Sequence, residues 1–100
     1  MMDEAIIILK EQVGITTQET DWSFESVTAE REELDPTIIK SADIDLPKLV
    51  LTHLYLYVDQ RSGNDYVVYF ITNTTSSREF TRGLLIEGKL HWHSNGESHD

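Results

Sequence analysis

The sequence predicts an α+β domain with its helices on one side of a largely antiparallel, five-stranded sheet. Three observations carry that expectation: a single helix-period apolar stripe at the start, four strand-like apolar runs in the second half, and short turn signals between those runs. Strands separated by turns of a few residues pair antiparallel, because a parallel pair needs a long crossover.

Asp3 to Val13 reads as an amphipathic helix, with Ile6, Leu9 and Val13 near 3.6-residue spacing. Acids occupy its first turn and Gly14 supplies the stop. A polar, threonine-rich connection follows, and then Trp22 to Val27 alternates as a strand, placing Glu25 on the face opposite Trp22 and Phe24. Thr28 to Leu34 has helical composition, with Thr28 as a candidate cap. Asp35-Pro36 is an N-cap followed by proline at the first helical position, which launches a short helix over Thr37 to Ala42.

Lys48 to Gln60 is apolar on both alternating faces and is expected to be a core strand covered in part on each side. The turn Ser62-Gly63-Asn64-Asp65 returns it as Tyr66 to Asn73, an antiparallel hairpin. After a polar loop over 73–78, Glu79 to Ile86 and Lys89 to His93 form two more strands joined at Glu87-Gly88. Gly83 marks a bulge or a close approach within the first of them. The expectation is one domain over residues 1–93 and a flexible tail over 94–100.

Eighteen acidic residues against eight basic ones give a formal charge of -10, which repels nucleic acid and anionic membrane. Direct nucleic-acid binding and membrane binding are therefore not expected. The charge is uneven: residues 1–48 hold twelve acids and four bases, residues 49–100 six acids and four bases. The densest stretch runs from Glu19 to Asp35, where Glu19, Asp21, Glu25, Glu30, Glu32, Glu33 and Asp35 face only Arg31. Such a run is either a solvated face that keeps a protein soluble or a surface that imitates a polyanion.

The chain has no cysteine, which excludes disulfides and thiolate metal sites and fits a reducing cytoplasm. The longest apolar run, Ile6 to Leu9, follows Asp3 and Glu4, unlike a signal peptide or a membrane span. Phosphate-binding glycine loops, a nucleophile elbow and a cysteine nucleophile are all missing, so no enzyme is expected and no cofactor. His91 and His93 stand on one strand face about 7 Å apart, half of a metal site with no third ligand, and are expected to be surface histidines. His53 is expected to be a satisfied, partly buried histidine.

Trp22-Ser23-Phe24-Glu25-Ser26-Val27, followed by Glu32-Glu33-Leu34 and Pro36, resembles the uracil-DNA glycosylase inhibitors, small acidic proteins of phages and of staphylococcal mobile elements. That family carries, after an N-terminal helix, a first strand with Glu-Ser and an apolar residue, then a short acidic helix and an antiparallel sheet. The likeness is closest to the staphylococcal branch. It covers about fifteen residues by motif, and the rest of the chain by order of elements; Val27 stands where isoleucine is more usual.

The resemblance implies a DNA mimic that occupies the groove of uracil-DNA glycosylase as a one-to-one complex in the host cytoplasm and so blocks base excision repair. Glu25, Ser26, Val27, Glu30, Glu32, Glu33 and Asp35 would contact the enzyme. A pocket with Leu34, Ile38, Ile39 and Leu54 in its wall would take the leucine that these enzymes push into the minor groove. Carboxylates suit the task because they accept charge-assisted hydrogen bonds much as phosphate oxygens do. The alternative from the residues alone is an acidic immunity or antidote protein that neutralises a basic nuclease or other toxin.

Overall fold

The computed structural model describes residues 1–42 and 46–95, with Ser41 described by its backbone alone. Its architecture is α+β. Helix α1 (Met2–Val13) precedes β1 (Ser23–Glu30), α2 (Pro36–Ser41) and four strands, β2 (Leu49–Val58), β3 (Asp65–Thr72), β4 (Glu79–Ile86) and β5 (Lys89–Asn95). The sheet is an antiparallel meander in the order β1-β2-β3-β4-β5, so β1 and β5 are its free edges.

Helix α1 ends where Gly14 adopts φ 86°, and the Gly14 N–H closes the helix on the carbonyls of Leu9 and Lys10. Asp3 and Glu4 in the first turn and Lys10 in the last complement the helix dipole. The buried stripe is Ala5, Ile8 and Leu9 rather than Ile6, Leu9 and Val13; Ile6 and Val13 are half-buried and Ile7 is 52% exposed. Four consecutive apolar residues leave the helical phase open, and the small Ala5 resolves it by letting the helix approach the sheet closely.

The helices do not share a side, contrary to expectation. Helix α1 covers one face through Tyr55, Val68, Phe70 and Leu84, together with Trp22 and Tyr66. Helix α2 covers the other through Val50, Tyr69, Ile71 and Phe80, together with Leu34 and Leu46. The reason lies in β2 and β3, where consecutive residues such as Tyr69, Phe70 and Ile71 are all fully buried. Side chains alternate across a strand, so a continuous apolar run demands cover on both faces.

Between α1 and β1, a 3₁₀ turn over Glu19–Asp21 seats Trp22, whose indole N–H donates to Thr17 Oγ1 at 2.7 Å inside the core. Strand β1 extends to Glu30, so Thr28 caps no helix. The helical composition of Thr28 to Leu34 yields only a 3₁₀ turn over Arg31–Glu33, because Ala29 pairs with Val50 and Glu30 with Leu49 in the sheet. Asp35 then caps α2 as predicted, its Oδ1 accepting from the Thr37 N–H at 2.8 Å. Asp35→Ala is expected to lower the unfolding free energy by about 1 kcal/mol, read as a shift of the urea midpoint at constant slope.

Glu87 and Gly88 both have positive φ, 51° and 81°, as a two-residue hairpin turn requires. Gly83 is the expected close approach: it faces Tyr69 across β3 and β4, and a Cβ there would lie 2.5 Å from the ring. The register shifts between β3 and β4 at Ile71/Thr72 and between β4 and β5 at Leu84/Leu85, so Gly83 itself is not the bulge. The predicted tail begins too early, since Ser94 and Asn95 pair with Arg82 and Thr81; residues 96–100 lie outside the described residues.

Candidate functional site

Strand β1 is exposed along nearly its whole length, because it pairs with β2 on one side only and lies beyond the cover of either helix. Antiparallel register fixes what each residue does there. Phe24 and Ser26 lie on the α1 side opposite Tyr55 and His53, whereas Glu25 and Val27 lie on the α2 side opposite Leu54 and Thr52. Glu25 and Ser26 therefore straddle the free edge, one on each face. Phe24, 54% exposed, is held by its ring against Tyr55, with centroids 4.7 Å apart.

Glu30, Glu33 and Asp35 are tied into the turn and the helix that follow β1, Glu30 and Glu33 through a reciprocal capping box. Glu33 accepts from the Glu30 N–H at 2.8 Å through Oε1, and Asp35 is the cap of α2. These bonds fix the backbone that displays the others. Glu32 is exposed and its carboxylate stands 4.0 Å from the Arg31 guanidinium, a separation that contributes little in water. Arg31 is itself turned inward, donating to the Leu46 carbonyl at 2.8 Å. Glu25, Val27 and Glu30 are exposed, and among the described residues no side chain pairs with the Glu25 carboxylate.

Below Glu25 the α2-side face of the sheet is uncovered and forms a groove of about 230 Å³, lined by Ser23, Phe24, Glu25, Leu54, Leu56 and Val67. The lining is almost wholly apolar apart from the two β1 polar residues, and Leu56 is 37% exposed at its mouth. Of the four residues expected to wall a pocket, only Leu54 lines this groove. Leu34 and Ile38 are buried in the core under α2, and Ile39 packs against that core. The groove lies further along the strands, past the end of the short helix. Leu56 and Val67 were missed, although Leu54 and Leu56 two apart on one strand face gave the signal.

His53 is half-buried and bonded at both ring nitrogens, as expected: Nδ1 lies 2.5 Å from Ser26 Oγ and Nε2 3.1 Å from Thr72 Oγ1. Burial holds its pKa below the ordinary 6.5, the α-ammonium of Met1 adds to the depression and Glu79 opposes it. His91 and His93 are exposed on the edge strand β5, and His91 falls at the register shift. Among the described residues no group of three or more histidine or acidic side chains is placed to hold a metal ion. No helix among them is long and apolar enough to cross a membrane.

No family model, curated protein or solved structure matches the chain.

Proposed function

We propose that the protein is a non-enzymatic inhibitor of uracil-DNA glycosylase that occupies the enzyme's DNA-binding groove as a mimic of the phosphate backbone. The observation that carries this reading is the free edge of β1, where Glu25, a carboxylate with no partner among the described residues, stands directly above an open apolar groove. An enzyme that flips bases presents cationic and amide donors for phosphates and an apolar wedge for the base stack. The edge strand offers the complement of both within a few residues.

Charge contributes reach and the groove contributes discrimination. Glu25, Glu30 and Glu32 lie exposed along the strand and the turn after it, with Glu33 and Asp35 holding that turn in shape. Rigid acids meet the enzyme's donors without the cost of bending or unstacking a duplex. Filling the groove with one leucine-sized side chain adds about 1.5 to 3 kcal/mol, which a basic surface of any other kind would not recover. Such an inhibitor would act in the host cytoplasm, in a one-to-one complex, with no nucleic acid bound.

A uracil-excision assay tests the reading. Titrated protein is expected to abolish uracil release at about one equivalent of enzyme, with a co-eluting complex on gel filtration. Full excision in a large excess of folded protein would overturn it.

A further inference from the structure

We propose that His53 is a positioning residue that turns the Ser26 hydroxyl into a pure hydrogen-bond acceptor toward the partner, so that Ser26 completes the imitation of a phosphate oxygen only while His53 is neutral. The inference rests on the inhibitor reading for the identity of the partner, and on the geometry of β1, β2 and β3 for the state of the hydroxyl.

A neutral imidazole has one donor and one acceptor nitrogen, and its neighbours decide which is which. Thr72 Oγ1, beside Nε2, is buried between the sheet and the α1 layer, whereas Ser26 Oγ, beside Nδ1, is at the surface. The 3.1 Å at Nε2 is an N–H···O separation, whereas the 2.5 Å at Nδ1 is too short for one, so the ring proton sits on Nε2. Nδ1 is left as an acceptor. The Ser26 O–H must point at it, and the 2.5 Å separation is that of a close O–H···N bond. Both lone pairs of Ser26 Oγ then face outward, beside the Glu25 carboxylate on the same free edge. A partner amide or ammonium donor meets acceptors on both faces of β1.

Protonation reverses this. An imidazolium donates from both nitrogens, so Nδ1–H takes a lone pair of Ser26 and sends the hydroxyl proton outward, toward the partner's own donors. The groups that set the balance are few. Phe24 from β1 stacks over the ring, with centroids 6.5 Å apart, and Phe70 of β3 is its cross-strand neighbour. Glu79 of β4 favours the charged form and the Met1 α-ammonium disfavours it. Arg82 lies over Phe70, 5.0 Å from the centroid, and is held there by Glu79 and Glu4. Burial has the largest influence on the ring, so the neutral form prevails at neutral pH.

The sign follows from linkage. A histidine with a depressed folded pKa lends stability that is present above 6.5 and lost as the pH falls through 6.5 toward the folded value. Binding through Ser26 is lost over the lower part of the same window.

Two measurements on the intact protein decide the matter. In the free protein, long-range proton–nitrogen NMR of His53 at about pH 8 is expected to show the Nε2–H tautomer. The Nδ1–H tautomer would overturn the proposal. With uracil-DNA glycosylase, the ratio of dissociation constants of Ser26→Ala and the parent is taken at each pH, which cancels titrations of the enzyme. That ratio is expected to be about tenfold near pH 7.5, to fall toward one through the pH range below 6.5 in which NMR shows His53 protonating, and to become independent of pH in a His53→Gln background. A ratio that stays constant across that protonation in the parent also overturns the proposal. If the parent fails to bind the glycosylase at every pH, the inhibitor reading falls, and the tautomer alone still decides how the hydroxyl points.

Discussion

Glu25→Ala combined with Ser26→Ala is expected to weaken inhibition of uracil excision by about a hundredfold or more while lowering the unfolding free energy by only about 1 kcal/mol, the loss of the Ser26–His53 bond. The two residues are chosen because they do little for the fold. Both are exposed on an edge strand; Glu25 has no side-chain partner among the described residues, and the one side-chain bond of Ser26 is to the half-buried His53. Alanine keeps β1 paired, since the ladder to β2 is made by backbone groups.

In the complex the same positions are desolvated. Truncating one member of a charge-assisted pair there removes the bond and strands the partner's donor, a loss of about 2 to 5 kcal/mol. Each 1.4 kcal/mol is about tenfold, which sets the hundredfold expectation. Replacing Glu33 instead is expected to act through the fold, because its carboxylate closes the turn on the Glu30 N–H. A double variant that inhibits like the parent would remove the contact set from this edge altogether.

The sheet was legible because its signals are local and redundant. Turn residues at Gly63 and Glu87-Gly88 fix where the hairpins close, and apolar runs between them are long enough to be strands. Helix caps were legible for the same reason, as Gly14 and Asp35 each act within their own turn. Thr28 to Leu34 was not, because its helical propensity competes with pairing to a strand twenty residues away, and propensity is the weaker effect.

The side on which each helix packs was misread for a related reason. Continuous burial in Tyr69 to Ile71 shows that both faces need cover, and it does not say which element supplies it. The site divides in the same way. Glu25 and its face followed from alternation alone, whereas the groove beneath it depends on where α2 stops relative to Leu54 and Leu56, a matter of tertiary placement. The partner of Ser26 across the ladder, His53, depends on register, which a one-residue slip would have changed.

Arg82→Met is expected to cost about 3 to 5 kcal/mol of stability near neutral pH. Arg82 grips Glu79 through two bonds, Nε to Oε2 at 2.6 Å and Nη2 to Oε1 at 2.7 Å, and reaches Glu4 of α1 at 3.2 Å. Its guanidinium is held above its usual pKa first by the hydrogen bond to Glu79, against the opposing effect of burial. Glu79 is buried, with a side chain only 9% exposed. Methionine keeps much of the volume over Phe70 but strips that buried carboxylate of both its bonds to the guanidinium.

For a chain of this size each kcal/mol moves the melting temperature by about 4 to 8 °C, so the single variant melts far below the parent. Should it fail to fold, Arg82→Met with Glu79→Leu supplies the comparison. That pair removes both charges and is expected to recover most of the loss, because a buried ion pair is worth little against apolar residues of similar volume. Equal deficits in the single and double variants would mean that Arg82 stabilises the fold through its packing on Phe70 and its tie to α1 rather than by neutralising Glu79.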